Sequence, residues 1–121
     1  MKKILIVEDE ETLANVISDK LSQEKYRTFI ARNGRDGLDA ALKEKPDLIL
    51  LDIIMPVMDG LAMLKELRQD KWGSTAKVII LTNLTEAETT AEAMEHGVHD
   101  FLVKTDWKLE DIVKKVKDIL K

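Results

Sequence analysis

The sequence predicts an α/β fold of five βα units, a parallel sheet with helices on both faces. Two observations carry this expectation. Short apolar runs alternate with longer amphipathic stretches from one end of the chain to the other. Three of the runs, Ile4 to Val7, Leu48 to Leu51 and Val78 to Leu81, are unbroken, which marks strands buried on both faces.

The elements follow in order. After the first strand, Leu13, Val16, Ile17 and Leu21 recur at helical spacing. The second strand is Phe29 to Ala31; Asn33 and Gly34 open the second helix and Pro46 ends it. The third strand, Leu48 to Leu51, leads to a helix marked by Leu61, Leu64 and Leu67. Beyond the fourth strand, Thr85 and Glu88 have capping-box spacing for a helix running to about His96, with Gly97 just after it. Phe101 to Val103 is the fifth strand. Asp106 is placed to cap a last helix whose apolar face is Leu109, Ile112, Val113, Val116, Ile119 and Leu120. The chain shows no internal repeat, low-complexity segment or linker, and its 121 residues suit one domain.

Composition removes several classes of function. The net charge is -4, with charged residues making up 35% of the chain; a nucleic-acid-binding domain would show a basic patch instead, and an anionic membrane surface would repel this one. There is no cysteine, so disulfides, thiolate metal sites and a cysteine nucleophile are excluded. No apolar run approaches the ~18 residues of a membrane span, and the run after Met1-Lys2-Lys3 is too short for a signal peptide. The expected location is the cytoplasm. Aromatics are only 4% of the chain, so aliphatic side chains must fill the core.

In doubly wound folds the site lies at the carboxyl ends of the strands, where strand order reverses. The residues at those ends are Glu8 and Asp9, Arg32 and Asn33, Asp52, Thr82 and Lys104. Each alone has an ordinary reading: helix N-terminal charge, a strand threonine, an exposed lysine. Their joint placement points to chemistry. Three carboxylates against one lysine leave a cluster that repels itself, and a hard divalent cation with oxygen ligands, Mg2+ above all, resolves the conflict. Asp52 is then a plausible nucleophile toward a phosphoryl group, with Thr82 donating a hydrogen bond to the phosphoryl oxygens and Lys104 pairing with them.

These residues resemble the receiver domains of two-component response regulators, the chemotaxis regulators among them. The landmarks are Val7-Glu8-Asp9, Pro46-Asp47 leading to Asp52, Met55-Pro56-Val57-Met58-Asp59-Gly60, Leu81-Thr82, Gly97, and Phe101-Leu102-Val103-Lys104. The resemblance covers the whole chain. It implies a flavodoxin-like (βα)5 fold with strand order 2-1-3-4-5. It implies that Asp52 accepts a phosphoryl group from a sensor histidine kinase or phosphotransfer protein. Glu8, Asp9, Asp52 and the backbone carbonyl of Ile54 would bind magnesium, and Thr82 and Lys104 would hold the phosphoryl oxygens. Phe101 would turn inward when Thr82 moves, and Gly60 would open the third helix. Signalling, to a downstream protein or output domain, would run through the face of the fourth helix, fifth strand and fifth helix, where a homodimer would also form. Residues 1–121 are expected to be a single receiver domain with no output domain.

The fourth helix, read as Leu84 to His96, contains only Leu84 and Met94 as large apolar residues, and weak anchoring suits an element that shifts. The chain departs from the family at Thr105, where proline usually follows the lysine; a trans bond and a reshaped loop are expected there. Asn83 stands where a small residue is usual. Ile54 and Leu84 are placed to shield an acyl phosphate from water. His96 and His99 read as surface residues, Trp72 as local packing, and Trp107 as packing near the site. Two rivals stand beside the switch. A phosphatase of the haloacid dehalogenase type would want an acid-base aspartate where Ile54 stands. A docking module that accepts no phosphate is left room by Thr105 and Asn83. Nucleotide or flavin binding lacks a glycine-rich loop after the first strand.

Overall fold

The computed structural model describes residues 1–83, 87–104 and 108–121. The elements are β1 (Lys3–Val7), α1 (Glu11–Gln23), β2 (Arg27–Ala31), α2 (Gly34–Glu44), β3 (Leu48–Asp52), α3 (Gly60–Gln69), a 3-10 turn (Gly73–Thr75), β4 (Val78–Thr82), α4 (Ala87–Met94), β5 (Asp100–Val103) and α5 (Leu109–Ile119). All strand pairs are parallel and the order is β2-β1-β3-β4-β5. The order reverses between β1 and β3, so the carboxyl ends of those two strands open onto one cleft.

The unbroken apolar runs are explained by what covers each face. Leu5, Val7, Ile49, Leu51, Val78 and Ile80 pack with Leu38, Ala41, Met63, Leu64, Leu67 and Ala93 of α2, α3 and α4. Ile4, Ile6, Leu48, Leu50, Ile79 and Leu81 alternate with them and pack with Ala14, Ile17, Leu21, Ile112, Val113 and Val116 of α1 and α5. A strand covered on both sides has no position for a polar side chain until it reaches its end. The edge strand β2 is different: Ile30 is exposed, and Arg27 lies over the Phe29 ring at 5.2 Å. No helix among the described residues is long and apolar enough to cross a membrane.

Several local expectations need correction. Val16 is exposed, and the buried stripe of α1 is Ala14, Ile17 and Leu21, which packs with Ile4, Ile6, Leu48 and Leu50. The N-cap position of α5 is Lys108: the Lys108 N–H donates to the Asp111 carboxylate at 2.7 Å, and the Asp111 N–H donates to the Lys108 carbonyl at 2.9 Å. β2 begins at Arg27, ahead of Phe29, and α4 ends at Met94, with a turn through His96. Asn33 does cap α2, accepting from Asp36 N–H at 2.8 Å. Gly97 has φ +78°, the left-handed geometry expected after a helix. Trp72 packs against the core cluster under α2 and α3. Thr85, Leu84, Thr105, Asp106 and Trp107 lie outside the described residues.

Candidate functional site

The cleft is built by register. β1 and β3 pair Val7 with Leu51, and β3 and β4 pair Asp52 with Leu81, so Glu8 and Asp52 leave the sheet at the same level. Both are buried, Glu8 at 0% and Asp52 at 2% exposure, while Asp9 is exposed at the mouth. Glu8 is held by its neighbours: its Oε2 accepts the Glu10 N–H at 3.1 Å, at the start of α1, where the helix dipole favours negative charge. Asp52 is held by a tight loop. The Gly60 N–H donates to the Ile53 carbonyl at 2.7 Å, and a Cβ on Gly60 would fall 2.1 Å from the Asp52 carbonyl oxygen. Only glycine lets α3 start this close behind the strand. Asp59 caps the helix through the Ala62 N–H at 2.8 Å.

Lys104 closes the site from β5. Its Nζ lies 2.7 Å from Glu8 Oε1 and 3.1 Å from Asp52 Oδ1. The Lys104 N–H donates to the Thr82 carbonyl at 2.6 Å, which carries the β4–β5 ladder to the point where the side chain turns in. The approach to Glu8 Oε1 is off the hydrogen-bonding direction, and that buried oxygen has no hydrogen-bond donor among the described residues.

Burial pushes the Asp52 carboxyl up, the adjacent Glu8 carboxylate pushes it further, and Lys104 offsets only part, leaving it at about 8. Glu8 meets the same burial, but the adjacent Lys104 ammonium, the Asp52 carboxyl and the Glu10 backbone N–H outweigh it and hold its pKa below the ordinary value. For Lys104, burial disfavours the charge, yet the two carboxylates more than compensate and raise its pKa. The buried pair thus keeps one proton near neutrality, on Asp52, because one ammonium cannot balance two carboxylates in a dry site.

An oxygen-seeking cation fits this arrangement. One carboxylate oxygen from each of Glu8, Asp9 and Asp52 lies within 4.8 Å of the others, and the buried Glu8 Oε1 meets the Lys104 ammonium but no hydrogen-bond donor in good geometry among the described residues. The Ile54 carbonyl follows two residues after Asp52 on the same loop, while its side chain is exposed. The sequence-predicted residues Glu8, Asp9, Asp52 and Lys104 are therefore together. Thr82 stands beside them at the end of β4 but turns elsewhere: its Oγ1 lies 2.7 Å from Thr90 Oγ1 of α4 and 3.1 Å from the Asn83 carbonyl. Phe101 is 41% exposed, with its ring beside a groove of about 310 Å³ that Thr90, Met94 and Val103 also line. Arg32 leaves the cluster and donates to the Asp9 carbonyl at 2.9 Å.

Two residues escaped the sequence. Thr90 is one; α4 has adjacent threonines, and nothing in their spacing says which faces inward. Arg68 is the other. Its guanidinium donates to the carbonyls of His96 and Gly73 at 2.7 Å, Ala76 at 2.9 Å and Gly97 at 3.2 Å. An arginine in the last turn of a helix carries no signal for that.

Comparison with known proteins gives a consistent answer. Residues 4–117 match the model of the response regulator receiver domain. The response regulator ArlR of Staphylococcus saprophyticus is 35% identical over all 121 residues, which cover 53% of that protein, so the chain spans about half the length of the curated relatives it matches. The receiver domain of a signal transduction histidine kinase from Syntrophus aciditrophicus is 35% identical with a TM-score of 0.89, covering 99% of this chain and 90% of that one. A sensor histidine kinase receiver domain from Pseudomonas aeruginosa, solved with a magnesium ion in its active-site cleft, is 26% identical with a TM-score of 0.88, covering 99% and 98%. Sequence match and sheet order agree over nearly every residue, and the chain belongs to the response regulator receiver family.

Proposed function

We propose that this chain is the phospho-acceptor switch of a two-component system, in which Asp52 takes a phosphoryl group from a phosphohistidine on a sensor histidine kinase or phosphotransfer protein. The observation that carries this reading is the buried Glu8–Asp52–Lys104 group with Asp9 at its mouth. An Asp52 oxygen attacks phosphorus, the P–N bond breaks, and its electron pair leaves on the donor imidazole. Glu8, Asp9, Asp52 and the Ile54 carbonyl would hold Mg2+, the ion carried by the Pseudomonas receiver. Bound there, it would supply positive charge that favours the ionised form of Asp52 and balances the incoming phosphoryl oxygens. Lys104, already 3.1 Å from Asp52, pairs with a phosphoryl oxygen. Thr82 donates to another after leaving Thr90, and Phe101 turns into the groove that the α4 shift reshapes.

Turnover is limited to the chain's own phosphorylation and dephosphorylation; it is a cytoplasmic signalling switch rather than an enzyme acting on free substrates. Output runs through the α4-β5-α5 face to a partner protein or to an output domain, with that face also available for a homodimer. Residues 1–121 are proposed as the receiver unit alone.

Intact mass spectrometry after incubation with acetyl phosphate tests the reading. One phosphoryl group is expected on the wild type with magnesium, none without it, and none on Asp52→Asn. A well-folded wild type that takes no phosphoryl group would instead favour the docking-only module.

A further inference from the structure

Thr82 has one hydroxyl proton, and in this structure it is committed. Among the described residues, its Oγ1 lies 3.1 Å from the Asn83 carbonyl, to which it donates, and 2.7 Å from Thr90 Oγ1, where either hydroxyl can be the donor. With either donor the hydroxyl faces α4 and is sealed there, with Thr82 at 2% and Thr90 at 9% exposure. A phosphoryl oxygen on Asp52 needs a donor. Thr82 can supply one only by turning its proton away from these partners.

The attachment of α4 makes that bond consequential. Among the described residues, its buried face is Thr90 and Ala93, and this stretch gains little from apolar burial. Its C-terminal end is fixed by polar contacts: Arg68 donates to the His96 and Gly97 carbonyls, and Lys65 of α3 pairs with Glu92 at 2.8 Å. Thr90 ties the helix to β4, through its contact with Thr82. Breaking that contact removes a polar tie between α4 and β4 while Arg68 keeps the far end in place.

We infer that Thr90 is a positioning residue that competes with the Asp52 phosphoryl group for the Thr82 hydroxyl, so that phosphoryl capture and loss of this tie between α4 and β4 are one exchange of hydrogen bonds. This rests on the phospho-acceptor reading above. The competition sets a threshold: part of the stabilisation gained by the phosphorylated state is used to break the hydroxyl pair.

The test is titration of the full chain with beryllofluoride, a phosphoryl mimic, in saturating magnesium. Thr90→Val keeps the shape of the side chain and deletes its hydroxyl; it is expected to bind the mimic about fivefold more tightly, the equivalent of one ordinary hydrogen bond. Thr90→Ser, which keeps the hydroxyl, should match the wild type. In a Thr82→Ala background the Thr90→Val effect should vanish. Thr90→Ala serves as a second deletion where the valine variant folds poorly. Unchanged affinity in folded hydroxyl deletions would overturn the inference, as would an effect that persists without the Thr82 hydroxyl. A wild type that neither binds beryllofluoride nor takes a phosphoryl group would instead sink the phospho-acceptor reading, and this inference with it.

Discussion

Asp52 sits in a site with an excess of negative charge, and its protonation follows from that. In the absence of a cation, its pKa of about 8 against an ordinary 3.8 means that the folded state keeps a proton that the unfolded chain releases. Stability therefore falls as pH rises through that window, and above it the full cost is present. Asp52→Asn removes the titration and keeps an acceptor for Lys104. In metal-free buffer it is expected to raise stability at pH 8 by on the order of 2 kcal/mol, roughly 8 °C in melting temperature, with the gain disappearing toward pH 4. Thermal melts of both proteins across pH in a chelator check this; a gain that is constant with pH would mean that Asp52 is not the titrating group. Asp52 was legible in the sequence because a carboxylate ends an apolar run. Its proton was not, because that depends on Glu8 arriving from another strand.

At the scale of elements, the helices are held in different ways. Helices α1 and α5 bury aliphatic stripes on one sheet face, and α3 does so on the other. Among the described residues, helix α4 buries Thr90 and Ala93, and its C-terminal end is held by Arg68. That guanidinium is partly buried, which lowers its pKa, and it satisfies four carbonyls from two segments, Gly73 and Ala76 in one and His96 and Gly97 in the other. Arg68→Met would leave those carbonyls without their charged donor. We expect a loss of about 2–4 kcal/mol in urea unfolding, with the largest rise in amide exchange around Glu95 to Gly97. A variant with wild-type stability would show that water replaces the guanidinium without cost. The weak anchoring of α4 was visible in its composition, whereas Arg68 was not, since the carbonyls it serves lie in turns that only the packed α3–α4 corner brings together.

The whole molecule couples its cleft to its stability. Glu8, Asp9 and Asp52, the proposed cation ligands, converge only when β1 and β3 are adjacent, so a cation bound by all three would stabilise the folded chain alone. At a hundredfold excess over its dissociation constant the gain is about 2.7 kcal/mol. Magnesium is thus expected to raise the melting temperature by roughly 8–12 °C. Asp9 is exposed at the mouth, so Asp9→Ala should leave metal-free stability within ~0.5 kcal/mol while removing most of the magnesium-dependent rise. Equal rises in both proteins would place the ion elsewhere.

Five βα units, a two-sided parallel sheet and the residues at its strand ends were determined by the sequence alone, because periodicity, apolar runs and caps are local properties of the chain. The start of α3 at Gly60 came from the family resemblance, and the structure adds the Asp59 cap before it. Tertiary structure decided the rest. It chose Ala14 over Val16 for the core, gave the α5 cap to Lys108, and turned Thr82 toward Thr90. It also decided how one lysine divides its charge between two buried carboxylates. Each of these depends on distances between segments far apart in the chain, and such distances are fixed only when both faces of the sheet are packed.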